Sequence, residues 1–210
     1  VRLFQTIQMF YKLITTSTLI VTTFVPQDSN FRLIQKTSNK PVTINTNYFY
    51  RNHILGVAVS NGIQIKTSLL PYKRATLIID KGKASIEILT GKESQIKIKN
   101  GDWKTATVIQ AGPQILKDGK DVVETQRLIE KFSRGIITPN SHTAIGITRG
   151  GKLTFFFSRG RSLSQLAKKM LTFGVLDAMN VDGGSSSFLR AGNVVRGQRL
   201  PVLGLVVESV

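Results

Sequence analysis

From residue 1 to about residue 99 the chain is a series of short β-branched runs: LIVTTFV, FRLIQ, PVTINTNYF, GVAVSNG, IQIKTSLL, ATLIID, ASIEILTGK and SQIKIKNG. PQDSN, TSNK and KGK separate several of them. Val, Ile and Thr suit a pleated, half-buried surface, and turn signals spaced roughly 8 to 12 residues apart predict β-hairpins and meanders. Asn61-Gly62, Asn100-Gly101 and the Lys81-Gly82-Lys83 step are the clearest hairpin turns, because glycine reaches the positive φ such turns need.

The pattern changes at RSLSQLAKKMLTFG. Leu163, Leu166, Ala167, Met170 and Leu171 recur at the i, i+3, i+4, i+7 and i+8 spacing of one buried helical face. Ser162 with Gln165 three residues on forms a capping box, Lys168 and Lys169 approach the negative end, and Gly174 supplies a left-handed stop. The spacing predicts a helix from Ser162 to about Phe173 that packs on a sheet. Residues 117–135 carry only a broken apolar stripe and read as a weak helix or a flap. The segment VLDAMNVDGGSSSFLRAGNVV follows as a strand, a glycine-serine loop and a returning strand, and PVLGLVVESV closes as a buried strand. The class is therefore α+β: a strand-rich mixed sheet core with one well-defined amphipathic helix and few others. No repeat, linker or low-complexity tract marks a boundary, so residues 1–210 read as one domain.

Composition narrows the chemistry. With 41% hydrophobic and 20% charged residues a packed core is expected, and a formal charge of +17 points to an anionic partner. The absence of cysteine removes disulfides, thiolate metal sites and thiol nucleophiles together. Two histidines, His53 and His142, leave little for a histidine metal site; no cofactor is firmly implied, and a divalent metal stays open. Residues 10–25 are the most apolar stretch near the start, but Lys12 and five threonines interrupt them, so no transmembrane helix is read there. The chain begins on Val1 rather than methionine, which leaves room for a removed export signal. Nucleic acid is disfavoured as a partner because the cations are dispersed and no stacking or groove-reading signature appears.

The most informative stretch is DAMNVDGGSSS, residues 177–187. Asp182 ends an apolar strand and precedes two glycines and three serines. Such a turn lets backbone N–H groups approach an anion closely, and the hydroxyls of Ser185 and Ser186 add donors. A carboxylate beside it suits attack at an anomeric carbon. The plain alternative is a glycine-rich hairpin in which Asp182 caps the turn. Asn45 and Asn180 offer both donor and acceptor for sugar hydroxyls, or tie loops together in the interior. Asp177 reads as a structural partner for loop N–H groups, and of Tyr48, Phe49 and Tyr50 one or two would line a pocket.

FGVLDAMNVDGGSSSFLRAGNVV resembles the signature of the phosphodiester glycosidase domain family, which Asp177, Ala178, Asn180, Asp182, Gly183, Gly184 and Ser185 to Ser187 fit in order. INTNYF, GVAVSNG, the Gly112-Pro113 step, HTAIG and SLSQLA resemble further family landmarks. The resemblance covers about residues 44–210, with residues 1–43 as N-terminal strands of the same domain. It implies a glycoside hydrolase-type enzyme that cleaves a sugar 1-phosphodiester or related glycosidic bond. Asp182 and Asn180 would be catalytic; Asn45, Gly183, Gly184, Ser185, Ser186, His142, Arg159 and Arg199 would bind substrate. Arg161, Arg190 and Arg196 are further candidates for the phosphate. Three departures bear on the substrate: His142 stands where the family has arginine, Thr46 and Asn47 replace paired glycines, and SRGR replaces an Asp-Gly pair. The partner would be an anionic sugar phosphate or polysaccharide, and the place an exported or cell-envelope one. The alternative is a non-catalytic module that binds anionic glycans. The sequence leaves the sugar, its anomeric configuration and the oligomeric state open.

Overall fold

The computed structural model describes residues 13–16, 18–35, 42–51, 53–197 and 199–209; the TSNK turn and the chain before residue 13 lie outside the described residues. Three sheets dominate, and every strand pairing within them is antiparallel. The largest runs Ile14–Thr15, Leu19–Phe24, Leu153–Arg161, Asn140–Thr148, Val175–Asn180, Gln114–Lys117, Lys120–Asp121 from edge to edge. A second sheet orders Lys83–Leu89, Arg74–Asp80, Thr107–Gln110, Ala58–Ser60 and Ile63–Gln64. The third orders Val194–Arg196, Leu189–Ala191, Val42–Asn45, Leu203–Ser209 and Ser29–Gln35.

Strand alternation explains how the sheets share one interior. Ile20, Phe24, Ile145, Phe155 and Phe157 of the first sheet meet Leu77 and Ile109 of the second and Ile44, Leu189 and Leu205 of the third in one buried cluster. The intervening residues Leu19, Val21, Ala144 and Phe156 face the other way, so those strands are apolar on both faces. The helices are α1 (Gly91–Lys99), α2 (Val123–Ile129) and α3 (Leu163–Leu171). On the outer face of the large sheet, α3 seats Leu163, Leu166, Ala167 and Met170 against Phe156, Val175 and Ala178. Both arms of its Ser162/Gln165 capping box are formed, and Gly174 stops the turn at φ +74°. Leu171, expected on the buried face, is 38% exposed because it falls at the edge of the stripe.

Two of the hairpin turns occur where expected. Asn61-Gly62 and Lys81-Gly82 take positive φ at both central residues, between the pairs Ser60–Ile63 and Asp80–Lys83. SQIKIKNG, expected as a strand, is helix α1. The Thr90 hydroxyl accepts from the Glu93 N–H while the Glu93 carboxylate accepts from the Thr90 N–H, a capping box that starts a helix despite the alternating isoleucines. Asn100-Gly101 is accordingly the end of that helix rather than a hairpin turn. Residues 117–135 carry the short helix α2, with Val123 buried and Leu128 and Ile129 exposed. The segment after Asp182 does not fold back on its own strand: Leu189–Ala191 pairs with Val42–Asn45 in the third sheet. That crossing from one sheet to another is what creates the site.

Candidate active site

Asp182 stands two residues beyond the strand Val175–Asn180, where the chain leaves the large sheet for the third one. Its backbone is held on three sides: its N–H donates to Thr46 O (2.9 Å), and its carbonyl accepts from Thr143 Oγ1 (2.9 Å) and Asn45 Nδ2 (2.5 Å). Asn45 ends a strand of the third sheet, is 2% exposed, and accepts the Phe188 N–H at 2.9 Å through Oδ1. One carboxamide thus staples both ends of the 183–187 turn. Ser187 adds a hydrogen bond from its hydroxyl to Ser141 O at 3.0 Å.

The Asp182 side chain accepts the Gly183 N–H at 3.0 Å through Oδ1. Burial pushes its carboxyl up to about 6, against the opposing effect of hydrogen bonds from Ser186 and the Gly183 N–H. It lines a cavity of about 220 Å³ together with Asn45, Asn47, Phe49, Arg51 and Ser186, with residues 199–203 forming the far wall. Arg51 and Arg199 are the cations of this cavity, and Asp182 is its one carboxylate. Asn47 donates to Leu55 O, Val57 O and Gln110 O, anchoring this wall to the second sheet, while its Oδ1 has no partner.

The turn has a second side. Gly184, Ser185 and Ser187 line a separate cavity of about 260 Å³ with Asn140, Ser141 and Arg159. The two cavities divide between them the residues that the sequence singles out. Asn45, Asp182 and Ser186 come together, Gly184 and Ser185 face the other side, and Asn180 and Gly183 line neither cavity. Asn180 is fully buried and donates to Tyr48 Oη (2.9 Å) and Val181 O (2.7 Å), so it supports the strand end from behind. His142 also lines neither cavity. It is 2% exposed, its Nε2 lies 3.0 Å from Thr138 O, and burial lowers its pKa, which makes it a neutral group beneath the turn where an arginine would have carried charge.

The family model for phosphodiester glycosidases matches residues 38–202. The chain belongs to that family. Solved structures share its fold. The catalytic domain of zebrafish N-acetylglucosamine-1-phosphodiester α-N-acetylglucosaminidase, auto-inhibited by its pro-peptide, aligns with a TM-score of 0.77 at 18% identity over 96% of this chain and 82% of that one. A hypothetical protein from Synechocystis aligns at 0.67 and 14% identity over 95% of this chain and 61% of its own length. A presumed exported protein from Burkholderia pseudomallei K96243 aligns at 0.66 and 11%, over 90% and 73%. A search of curated protein sequences gives no match.

Within this family fold the structure adds residues that local sequence did not single out. Arg51 reaches the cavity, together with the Phe49 that the sequence offered for a pocket, from a short ribbon in which Phe49–Tyr50 pairs with His53–Ile54. Behind the site lies Glu130, 0% exposed, whose carboxylate accepts the Ala75 N–H at 2.8 Å and the Gln114 N–H at 2.7 Å. Arg74 Nη1 donates to the Glu130 carbonyl. A Cβ on Gly112 would come within 2.1 Å of Glu130 Oε2, so this position needs glycine, and Gly112 O in turn accepts the Tyr48 hydroxyl at 2.7 Å. Nothing local separates Glu130 from exposed Glu124. Asp177 accepts the Asp118 N–H at 3.2 Å, the loop-holding role read for it. Arg161 and Arg196 donate to nearby backbone carbonyls, at Thr18 and Val195.

Proposed function

We propose that the chain hydrolyses a sugar 1-phosphodiester, with Asp182 acting at the anomeric carbon. The observation that carries this reading is a carboxyl raised to about 6 at the mouth of a glycine-serine turn, in a cavity that also presents Arg51 and Arg199. Membership of the phosphodiester glycosidase family supports it.

Ionised Asp182 takes a proton from water as the water oxygen bonds to the anomeric carbon. The bond from that carbon to the phosphodiester oxygen breaks, and its electron pair leaves with the phosphate. A carboxylate of raised pKa is a stronger base than an ordinary one, and near neutral pH it is still largely ionised. Glycosidases generally need a second carboxyl to protonate the departing oxygen. A phosphomonoester is stable as an anion, so it leaves without full protonation, and one carboxylate is enough. Arg51 and Arg199 neutralise the charge that collects on the phosphate. Direct attack by Asp182 to give a glycosyl-enzyme is the other route open to the same group.

The test is release of free sugar from a nucleotide sugar, the wild type compared with Asp182→Asn. Asparagine keeps the shape and removes the base, so kcat should fall by roughly 10³-fold or more while the fold is retained. Equal rates would remove Asp182 from the chemistry. No release by the wild type across several sugars would leave the glycan-binding module as the better account.

A further inference from the structure

The two cavities are built on the same pair of segments. Gly184, Ser185 and Ser187 line one and Ser186 the other; across from them, Gly197 belongs to the first and residues 199–203 to the second. The segments touch at Gly197, where a Cβ would lie 2.4 Å from Ser187 O. A ligand reacting at Asp182 therefore has a second compartment beside it, across one serine turn.

That compartment has a definite chemistry. Arg159 is its one charged residue, accompanied by the polar side chains of Asn140, Ser141, Ser185 and Ser187; Phe157 is the apolar exception. A β-bulge builds it: Ser141 pairs with Arg159 and Asn140 with Arg161, leaving Gly160 as the extra residue at φ +75°. Of the SRGR segment that replaces the family's Asp-Gly pair, Arg159 thus lines the cavity, while Arg161 is tied back to Ser158 Oγ and Thr18 O. The Arg159 guanidinium has no hydrogen-bond or ion-pair partner among the described residues, and no carboxylate lines the cavity to compete for it.

We infer that the Arg159 cavity is the leaving-group subsite, and that the substrate class is a sugar phosphodiester whose other ester is a hydroxylated, anionic group such as a polyol phosphate, rather than a lipid chain. This rests on the hydrolase reading above. The sugar occupies the Asp182 cavity, the scissile phosphate lies over the serine turn, and the polyol and its further phosphate reach Arg159. Asparagine and serine side chains match hydroxyl groups, a guanidinium matches phosphate bidentately, and neither offers an acyl chain an apolar lining.

The experiment separates this inference from the reading beneath it. The probes are sn-glycerol 3-phosphate, inorganic phosphate and glycerol, titrated into the full chain while the amide resonances of Ser141, Arg159 and Ser185 are followed. Glycerol 3-phosphate should shift all three in a saturable way, more tightly than inorganic phosphate or glycerol. Loss of a charge-assisted hydrogen bond in Arg159→Gln should weaken it roughly tenfold. Arg159 is exposed and its guanidinium has no partner among the described residues, so the variant should keep the wild-type melting temperature. Shifts confined to Arg51 and Arg199, equal affinity for inorganic phosphate, or an unchanged Arg159→Gln titration would each overturn the subsite. Absence of sugar release by the wild type would instead sink the hydrolase reading. With turnover in hand, Arg159→Gln should lower kcat/KM more for a nucleotide sugar than for the methyl phosphodiester of the same sugar; equal losses would count against the subsite.

Discussion

Asp182 is held in a place that disfavours its charge, and that conflict can be measured at the level of the single residue. Its carboxyl is raised from an ordinary value of 3.8 to about 6, chiefly by burial. The folded protein therefore binds a proton more tightly than the unfolded chain, so this group's stabilising contribution is present below about pH 4 and is lost as the pH rises through about 6. Asp182→Asn removes the ionisation. The variant should match the wild type near pH 4 and be more stable at pH 7, by on the order of 1–2 kcal/mol after allowance for partial exposure. Thermal unfolding at both pH values checks this; a variant less stable at pH 7 would show that the carboxylate's hydrogen bonds outweigh its burial. The same group should give the acid limb of kcat/KM, with activity rising through about pH 6. Asn180, a residue of the same motif, is fully buried: its Nδ2 donates to Tyr48 Oη and Val181 O, while its Oδ1 has no partner among the described residues.

At the scale of elements, the strand that carries the site depends on how closely α3 approaches it. Gly146 lies on the neighbouring strand of the sheet, Asn140–Thr148: a Cβ there would come within 2.6 Å of Val175 Cγ1 and 3.1 Å of Met170 Cε. Val175 is β-branched and stiff, so it cannot yield as Met170 can. Gly146→Ala should cost about 1–3 kcal/mol by overpacking, and Leu166→Ala, which leaves a void under a fully buried side chain, about 2–5 kcal/mol. Urea unfolding measures both. A loss below about 1 kcal/mol for Leu166→Ala would make α3 peripheral. Helix α1 shows how far local pattern reaches. Its alternating isoleucines read as a strand, yet the Thr90/Glu93 box and the Gly101 stop were present in the same stretch and prevailed.

For the whole molecule, Glu130 joins two of the three sheets, accepting Ala75 N–H from one and Gln114 N–H from the other. Burial raises it to about 7 against those hydrogen bonds and the nearby Arg74 guanidinium. The sign is that of Asp182: stability is highest with Glu130 protonated and declines as pH rises from about 4.5 through about 7. Between pH 5 and 7.5 the wild type should lose on the order of 2 kcal/mol through this group, and Glu130→Gln should flatten that slope. Melting temperatures across the range check it; an unchanged slope would mean that Arg74 holds the carboxylate ionised throughout.

The strands, the capped helix α3, the Asn61-Gly62 and Lys81-Gly82 turns and the DGGSSS motif were legible in the sequence because each is encoded within a dozen residues, by side-chain period, capping chemistry or a glycine's φ. The family was legible for the same reason, through one contiguous signature. What the tertiary structure decided is which distant residues meet. Asn45 and Asp182 are 137 positions apart, and Glu130 and Ala75 are 55. Arg51 enters the cavity beside the short ribbon of Phe49–Tyr50 and His53–Ile54, next to residues 199–203 from far along the chain. The division of one serine turn between two cavities follows from the chain crossing between sheets after Asp182, a long-range pairing with Val42–Asn45 that no local period records. Burial, which sets the charge states of Asp182, Glu130 and His142, is likewise a property of everything packed around them.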